Sequence, residues 1–372
     1  MHIQNTGQIQ RPTFVIDESR ARRNIAMMAR KAQQSGIQLR PHFKTHQSAE
    51  IGSWFRDQNV NRITVSSLSM AEYFAASGWN DITLAIPVNL RELDPIAGLA
   101  ERIRLGLVID SEAVIPSLAR RLTAATPIWI KIDPDYGRCG IHWQNHERIT
   151  NLVKRVSDQQ TLLFQGLLVH LGQTYDADSV LQIQTFHDRQ VDMLADLKRT
   201  IADITGIVPL ISIGDTPASC TVRRFEQVDE IRPGNFIFFD AMQWLHGVCR
   251  ADELAAVLLC PVIGLYPQRN QIVIYGGAVH LSKDSVTMAK GERIFGFAAL
   301  IENHEIGEIS RQAPVIKVSQ EHGVIQVPPD WFEKLQPGDL VAVYPAHSCL
   351  TADLQPAYRL TAGRPVSKFR LS

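Results

Sequence analysis

Between Arg40 and Gln47 the chain reads RPHFKTHQ, and Lys44 within it is the residue best suited to do chemistry. A lysine amine attacks a carbonyl to form an imine when it is held neutral, and burial or nearby cations bring its pKa down. His42, His46 and Arg40 crowd this short segment. A lone lysine is ordinarily a solvated surface residue. The other chemistry-bearing stretches supply what an imine-forming lysine needs.

Four of them are KIDPDYGRCGI (131–141), HLGQTY, IGDTPAS and RPGNFIFFD. In the first, Pro134, Asp135 and Gly137 form a turn that would throw Arg138 outward, unless Asp135 simply pairs with it. In the second, His170 stands just before a glycine turn, where its ring could stack on a planar ligand or serve structure alone. In the third and fourth, glycine turns with Thr216, Gly234 and Asn235 offer amides and a hydroxyl, donors suited to a phosphate. The fifth stretch is YPAHSCLTAD (344–353). On an extended segment His347 and Cys349, two apart, face the same side, and imidazole with thiolate is a pair that zinc favours. Two ligands leave a metal open to substrate. The bland alternative is a buried histidine and an inert cysteine. His322 and Asp353 are further candidates without specific support.

These residues need elements to position them. Short apolar runs at 37–45, 62–66, 81–87, 103–110, 127–133, 162–170, 208–213 and 235–240 predict eight strands, the first ending in Lys44. Between them lie helical patterns: Ile25, Met28, Ala29 and Ala32 with Gly36 as stop, a capping box from Ser69 to Glu72, a helix near 91–100, and one after Ser111. Alternating strands and helices predict an α/β chain with a parallel (β/α)8, TIM-like barrel over residues 14–245, in preference to an open sheet. In such a barrel chemistry collects beyond the strand C-termini, where Lys44, the loop after Asp133, His170, Gly214–Thr216 and Gly234–Asn235 all fall. From about residue 246 to 372 the texture changes to short β-rich runs, a separate small β domain carrying the His347–Cys349 pair.

Composition narrows the function classes. Zero formal net charge over 372 residues advertises no face for nucleic acid or an anionic membrane. The longest apolar run, near 254–265, is too short to span a bilayer, and the polar N-terminus lacks a signal-peptide layout. Five scattered cysteines suit a reducing compartment. A cytoplasmic enzyme is the expectation.

RPHFKTH, KIDPDYGRCG, HLGQTY, GDTPAS, RPGNFIFFD and HSC, in this order from about Arg11 to Asp353, resemble the D-serine dehydratase and D-threonine aldolase family. These are fold-type III pyridoxal-phosphate enzymes related to alanine racemase. The resemblance implies that Lys44 holds pyridoxal 5'-phosphate as a Schiff base and acts as the base at Cα. It puts His170 against the pyridine ring and Arg138 near the phenolic oxygen. Tyr175, Thr216, Gly234 and Asn235 take the phosphate end, and Arg232 the ring nitrogen. His347 and Cys349 would bind a divalent metal, zinc with manganese or cobalt as alternatives. Residues 1–13 would pair into the β domain, and the enzyme would be a homodimer.

The implied reaction is metal-assisted loss of the 3-hydroxyl from a D-3-hydroxy amino acid, D-serine first, giving a 2-oxo acid and ammonia. Retro-aldol cleavage to glycine and an aldehyde is the alternative, and an amino-acid racemase a more distant one. D-threo-3-hydroxyaspartate is a third substrate candidate. The chain departs from the family at Gln47, at Asp133-Pro134-Asp135 and at Asp215. A carboxylate at Asp215 is unfavourable beside a phosphate unless it points away or binds something else.

Overall fold

The computed structural model describes residues 1–288 and 291–370. Eight parallel strands form the barrel of its nine-stranded first sheet: Gln38–Leu39, Ile63–Val65, Asp81–Pro87, Arg104–Ile109, Thr126–Asp133, Leu162–His170, Leu210–Gly214 and Glu230–Ile231, with the short Ile141–His142 paired alongside Thr126–Asp133. From Ile63–Val65 onward each pairs with the next, and Glu230–Ile231 pairs back with Gln38–Leu39. A parallel bridge between His42 and Thr64 closes the ring, reinforced by the Phe43 N–H donating to the Thr64 carbonyl at 2.9 Å. The result is the expected barrel.

Period-two alternation sorts the strand residues. Ile128, Ile130, Ile132, Leu167, Val169, Ile211 and Ile213 belong to the main apolar core, together with the helices. Val108, Trp129 and Leu168 form a separate small cluster from the alternate positions. Lys131 and Ser212 occupy the same alternate set and are buried as well. Helix Glu18–Gln34 shows how the outer layer is made. Asp17 caps it by accepting the Arg20 N–H at 2.9 Å, and its buried Ala21, Ile25, Met28 and Ala32 repeat at helical spacing. It stops at Gly36, whose φ of 68° is left-handed.

The second sheet is built on Ala256–Tyr266, flanked by Leu340–Pro345 and Thr13–Ile16. The N-terminal residues join it: Ile3 N–H donates to His304, and Gln4 N–H to Thr361, both at 2.8 Å. Residues 371–372, placed in the β domain by the sequence reading, lie outside the described residues.

Several expectations are corrected. Thr13–Ile16 belongs to the second sheet, so residues 14–16 are not barrel residues. The first barrel strand is two residues long rather than nine, because its continuation is clamped between Pro233 and Thr64 and then turns. The eighth strand is Glu230–Ile231. The aromatic run after Gly234 looked like a strand by apolarity alone but forms a 3-10 turn, Asn235–Ile237. Ser67, not Ser69, caps helix Leu68–Ala76, accepting the Met70 N–H at 3.2 Å.

Candidate active site

Lys44 stands in the turn that follows barrel closure, not on a strand. The segment before it is held from both sides, by Arg40 N–H to Ile231 O, His42 N–H to Pro233 O and Phe43 N–H to Thr64 O. Phe43 and His46 then bury themselves among Phe55, Phe74 and Trp79, which leaves Lys44 pointing the other way. Its amine opens into a cavity of about 590 Å³ at the C-terminal end of the barrel. The amine is accessible, yet the walls displace most bulk water, and this burial, with the Arg138 charge, lowers its pKa despite Cys349 nearby.

The same cavity is lined by Arg138, His170, Tyr175, Arg232, Gly234, Asn235, His347 and Cys349. Of the residues read from sequence as site candidates, Thr216 alone sits behind the wall, where its N–H donates to the Tyr175 hydroxyl at 3.1 Å. Arg138 is not paired with Asp135, which instead takes His142 Nε2 at 2.6 Å and Trp143 Nε1 at 3.2 Å. Arg138 is left at the cavity rim beside the Tyr136 ring. His170 Nδ1 donates to the Gly214 carbonyl at 2.6 Å, which fixes Nε2 as the unprotonated atom. Burial and the Arg138 charge push its pKa down to about 3, so the ring stays neutral.

The residues present fit a phosphorylated cofactor. Thr216 Oγ1 is buried without a partner in the protein, the kind of orphan that marks a bound group. Gly234 lets its turn pack against the Lys44 turn: a Cβ there would lie 2.8 Å from Thr45 Oγ1 and 2.9 Å from the His42 carbonyl oxygen. Asn235 contributes differently from the expectation. Its Nδ2 is committed to Asp240 Oδ2 at 2.7 Å and Ser348 Oγ at 2.9 Å, so only its backbone N–H is free for a phosphate. Asp215 points away. Its Oδ1 accepts from Ala218 N–H at 2.6 Å and from Thr174 Oγ1 at 3.1 Å.

The HSC stretch is not extended. His347 precedes helix Ser348–Leu354, and Cys349 lies in its first turn. Both nonetheless face Lys44, because Asp240 anchors the helix start through the Ser348 N–H at 3.0 Å and ties it to Asn235. Thr45 Oγ1 touches Cys349 Sγ at 3.2 Å, joining the lysine turn to this helix. Burial alone would raise the Cys349 thiol, but the hydrogen bond and charge of His347 outweigh it, and the pKa falls. His347 Nδ1 bonds Asp284 Oδ2 at 2.7 Å, which leaves Nε2 for a metal. Among the described residues no group of three or more His, Cys, Asp or Glu is arranged to hold a metal. The donor set therefore fits an open two-ligand site and not a closed structural one. Asp353 is taken by Gln47 Nε2 at 2.6 Å, and His322 is exposed on a distant strand.

Asp284, Asp240 and Thr45 were missed in the sequence. Asp240 and Thr45 lie inside motifs already singled out. Asp284 carries no local signal, since it meets His347 only through folding.

A closed parallel barrel with a lysine amine opening into its C-terminal cavity, glycine turns beyond its last strands and an imidazole–thiol pair from beyond the barrel define a fold-type III pyridoxal-phosphate enzyme. The chain belongs to the alanine racemase-like family: residues 16–242 match the model described as "Alanine racemase, N-terminal domain". Residues 255–361 match "Putative serine dehydratase domain", which places it with the D-serine dehydratase group. It is 29% identical over 360 residues to D-threo-3-hydroxyaspartate dehydratase from Delftia sp., covering 94% of each chain. It is 26% identical over 374 residues to D-serine dehydratase from Dictyostelium discoideum, covering 95% of this chain and 94% of the other. The solved Delftia enzyme superposes with a TM-score of 0.89 at 27% identity, over 98% of this chain and 99% of that one. A cysteine-to-alanine variant of that enzyme is described as metal-free.

Proposed function

We propose that this chain is a pyridoxal-phosphate- and metal-dependent lyase that deaminates D-3-hydroxy amino acids, D-serine foremost, to a 2-oxo acid and ammonia. When bound, the cofactor would supply an electron sink for charge at Cα and the metal Lewis acidity toward a 3-hydroxyl. Lys44 would hold the cofactor through its side-chain amine, and the same amine would take the substrate's α-proton. Burial, with the Arg138 charge, lowers its pKa and so favours the neutral form that a base needs. His170 would offer a neutral ring to the pyridine, Arg232 a guanidinium toward the ring nitrogen, and Arg138 at the rim a charge for an anionic oxygen. Tyr175 and the amides of Gly234 and Asn235 would hold the phosphate, with the unpartnered Thr216 hydroxyl behind them. His347 and Cys349 would hold the metal, which would supply Lewis acidity toward the leaving hydroxyl. Zinc suits this donor pair best.

The observation that carries this reading is the meeting of Lys44 and the His347–Cys349 pair across one cavity. Retro-aldol cleavage, the alternative, needs a base for the hydroxyl proton. The cavity's carboxylates are Asp176 and Asp215; Asp215 Oδ1 is engaged by Ala218 and Thr174, while its Oδ2 has no partner among the described residues. All five cysteines are free thiols, in keeping with a cytoplasmic enzyme, and no helix among the described residues is long and apolar enough to cross a membrane. A homodimer is the assembly we propose.

Product analysis with D-serine, D-threonine and D-threo-3-hydroxyaspartate, with and without a chelator, tests the reading. Keto acid with ammonia, lost on chelation, is the expected result. Glycine with an aldehyde would replace elimination by cleavage, and turnover indifferent to chelator would remove the metal role of His347 and Cys349.

A further inference from the structure

A line of buried hydrogen bonds runs through the barrel from the cavity to its opposite end. Arg232 donates from Nη2 to the Val169 carbonyl at 2.7 Å and from Nη1 to Ser212 Oγ. Ser212 spends its single proton on Glu230 Oε1 at 2.6 Å. Glu230 Oε2 takes Arg40 Nε at 2.7 Å, and Arg40 Nη1 reaches Asp81 Oδ1 at 2.5 Å. Ser212 is fully buried, and Glu230, Arg232 and Arg40 are at most 5% exposed. The direction of the line is forced. A guanidinium only donates and a carboxylate only accepts, so the hydroxyl between them has one orientation.

The charges explain why the line exists. Arg232 is buried close to the cations Arg40 and Arg138, which repel it, while Glu230 and Asp215 attract it. Asp215 is turned toward Ala218 and Thr174, as described above. Glu230 is thus the carboxylate bonded to Arg232 through a single hydroxyl. Neither Ser212 nor Glu230 contacts the space a substrate would occupy, yet Ser212 directly, and Glu230 through it, bond the one arginine of the line that does.

We propose that Ser212 and Glu230 are positioning residues that hold the Arg232 guanidinium charged and aimed at the ring of the cofactor. The inference rests on the cofactor reading above. A fixed charge beside a conjugated ring shifts the ring's electron distribution, so the state of Arg232 is legible in the cofactor's absorption as well as in turnover.

The test uses Ser212→Ala and Glu230→Gln holoenzymes, with Ser212→Thr as the variant that keeps the hydroxyl. For the first two, kcat on D-serine is expected to fall about 10- to 100-fold with KM within about threefold, the loss typical of removing an outer hydrogen-bond partner. The cofactor absorption maximum moves, and apoprotein titrated with pyridoxal phosphate binds it about 10-fold more weakly. Ser212→Thr restores all three readouts. A Ser212→Ala protein with wild-type absorption, cofactor affinity and kcat overturns the proposal, whatever its melting temperature. Should Glu230→Gln not fold, the two Ser212 variants decide. Wild-type protein that binds no pyridoxal phosphate would overturn the proposed function, and the positioning role with it, before any substitution is compared.

Discussion

At the residue scale, the site divides into groups that meet the ligand and groups that set their state. Lys44 carries two duties, anchoring the cofactor and moving the α-proton. Lys44→Ala should therefore lower kcat on D-serine by at least about 10³-fold, since loss of a general base alone costs about 10²–10⁴-fold. Assay of keto acid release, with the visible absorption of the holoenzyme recorded alongside, checks it; a variant within tenfold of wild type would remove Lys44 from the reaction. Asp284 belongs to the second kind. Its bond to His347 Nδ1 orients the imidazole and leaves Nε2 free, so Asp284→Asn should weaken metal binding about 10- to 100-fold. Competition with a chromophoric chelator measures that directly.

At the element scale, the cavity is made where turns from different strands press together. The turn at Gly234 packs on the Lys44 turn so closely that a single methyl group has no room. Gly234→Ala should push the two apart and weaken pyridoxal phosphate binding at least about 10-fold, equivalent to about 1.4 kcal/mol. Equilibrium dialysis of the apoprotein would show it, and unchanged affinity would mean that the turn yields without cost. Gln47 ties three elements. Its side chain bonds Asp353 Oδ1 and the Lys44 carbonyl, and its own carbonyl accepts the Phe369 N–H at 2.6 Å. It does so from a left-handed φ of 50°, which an unsupported residue seldom adopts. Gln47→Ala removes this bond to the exposed Asp353 carboxylate and should cost about 0.5–1.5 kcal/mol in urea unfolding.

At the scale of the whole molecule, burial of neutral histidines ties stability to pH. Burial holds His46 and His170 at about 3 in the folded protein, against an ordinary value of 6.5. Below pH 6.5 the unfolded chain takes up protons at these sites that the folded chain refuses, so stability falls as pH drops toward 3. Asp215 works in the opposite sense. Burial raises it to about 6, so between roughly pH 4 and 6 the folded state binds a proton that the unfolded state lacks. His42, also buried, is held well below 6.5 and adds to the histidine side, while buried Asp240 is raised and adds to the other. Stability measured by urea titration should fall on acidifying from 6 to 4, and by more in Asp215→Asn. A flat profile would mean that these histidines reach solvent.

The sequence alone determined the alternation of strands and helices, most strand positions, the change of texture near residue 246 and most of the cavity's residues. These are local properties: period-two and helical apolar spacing, capping residues, and short motifs in which a reactive side chain stands beside a turn. It misjudged 235–240, because a run of buried aromatics reads alike in a strand and in a buried turn. It misjudged 344–353, because two residues of separation faces one way on a strand and differently on a helix. Only the tertiary structure decided that Thr13–Ile16 crosses to the second sheet, where its partners lie some 240 residues onward. Only it brought Asp284 to His347, Asp240 to Ser348, and Glu230 through Ser212 to Arg232. Such pairings depend on distance in space between residues remote along the chain, and on which groups burial leaves without water. No local pattern encodes either.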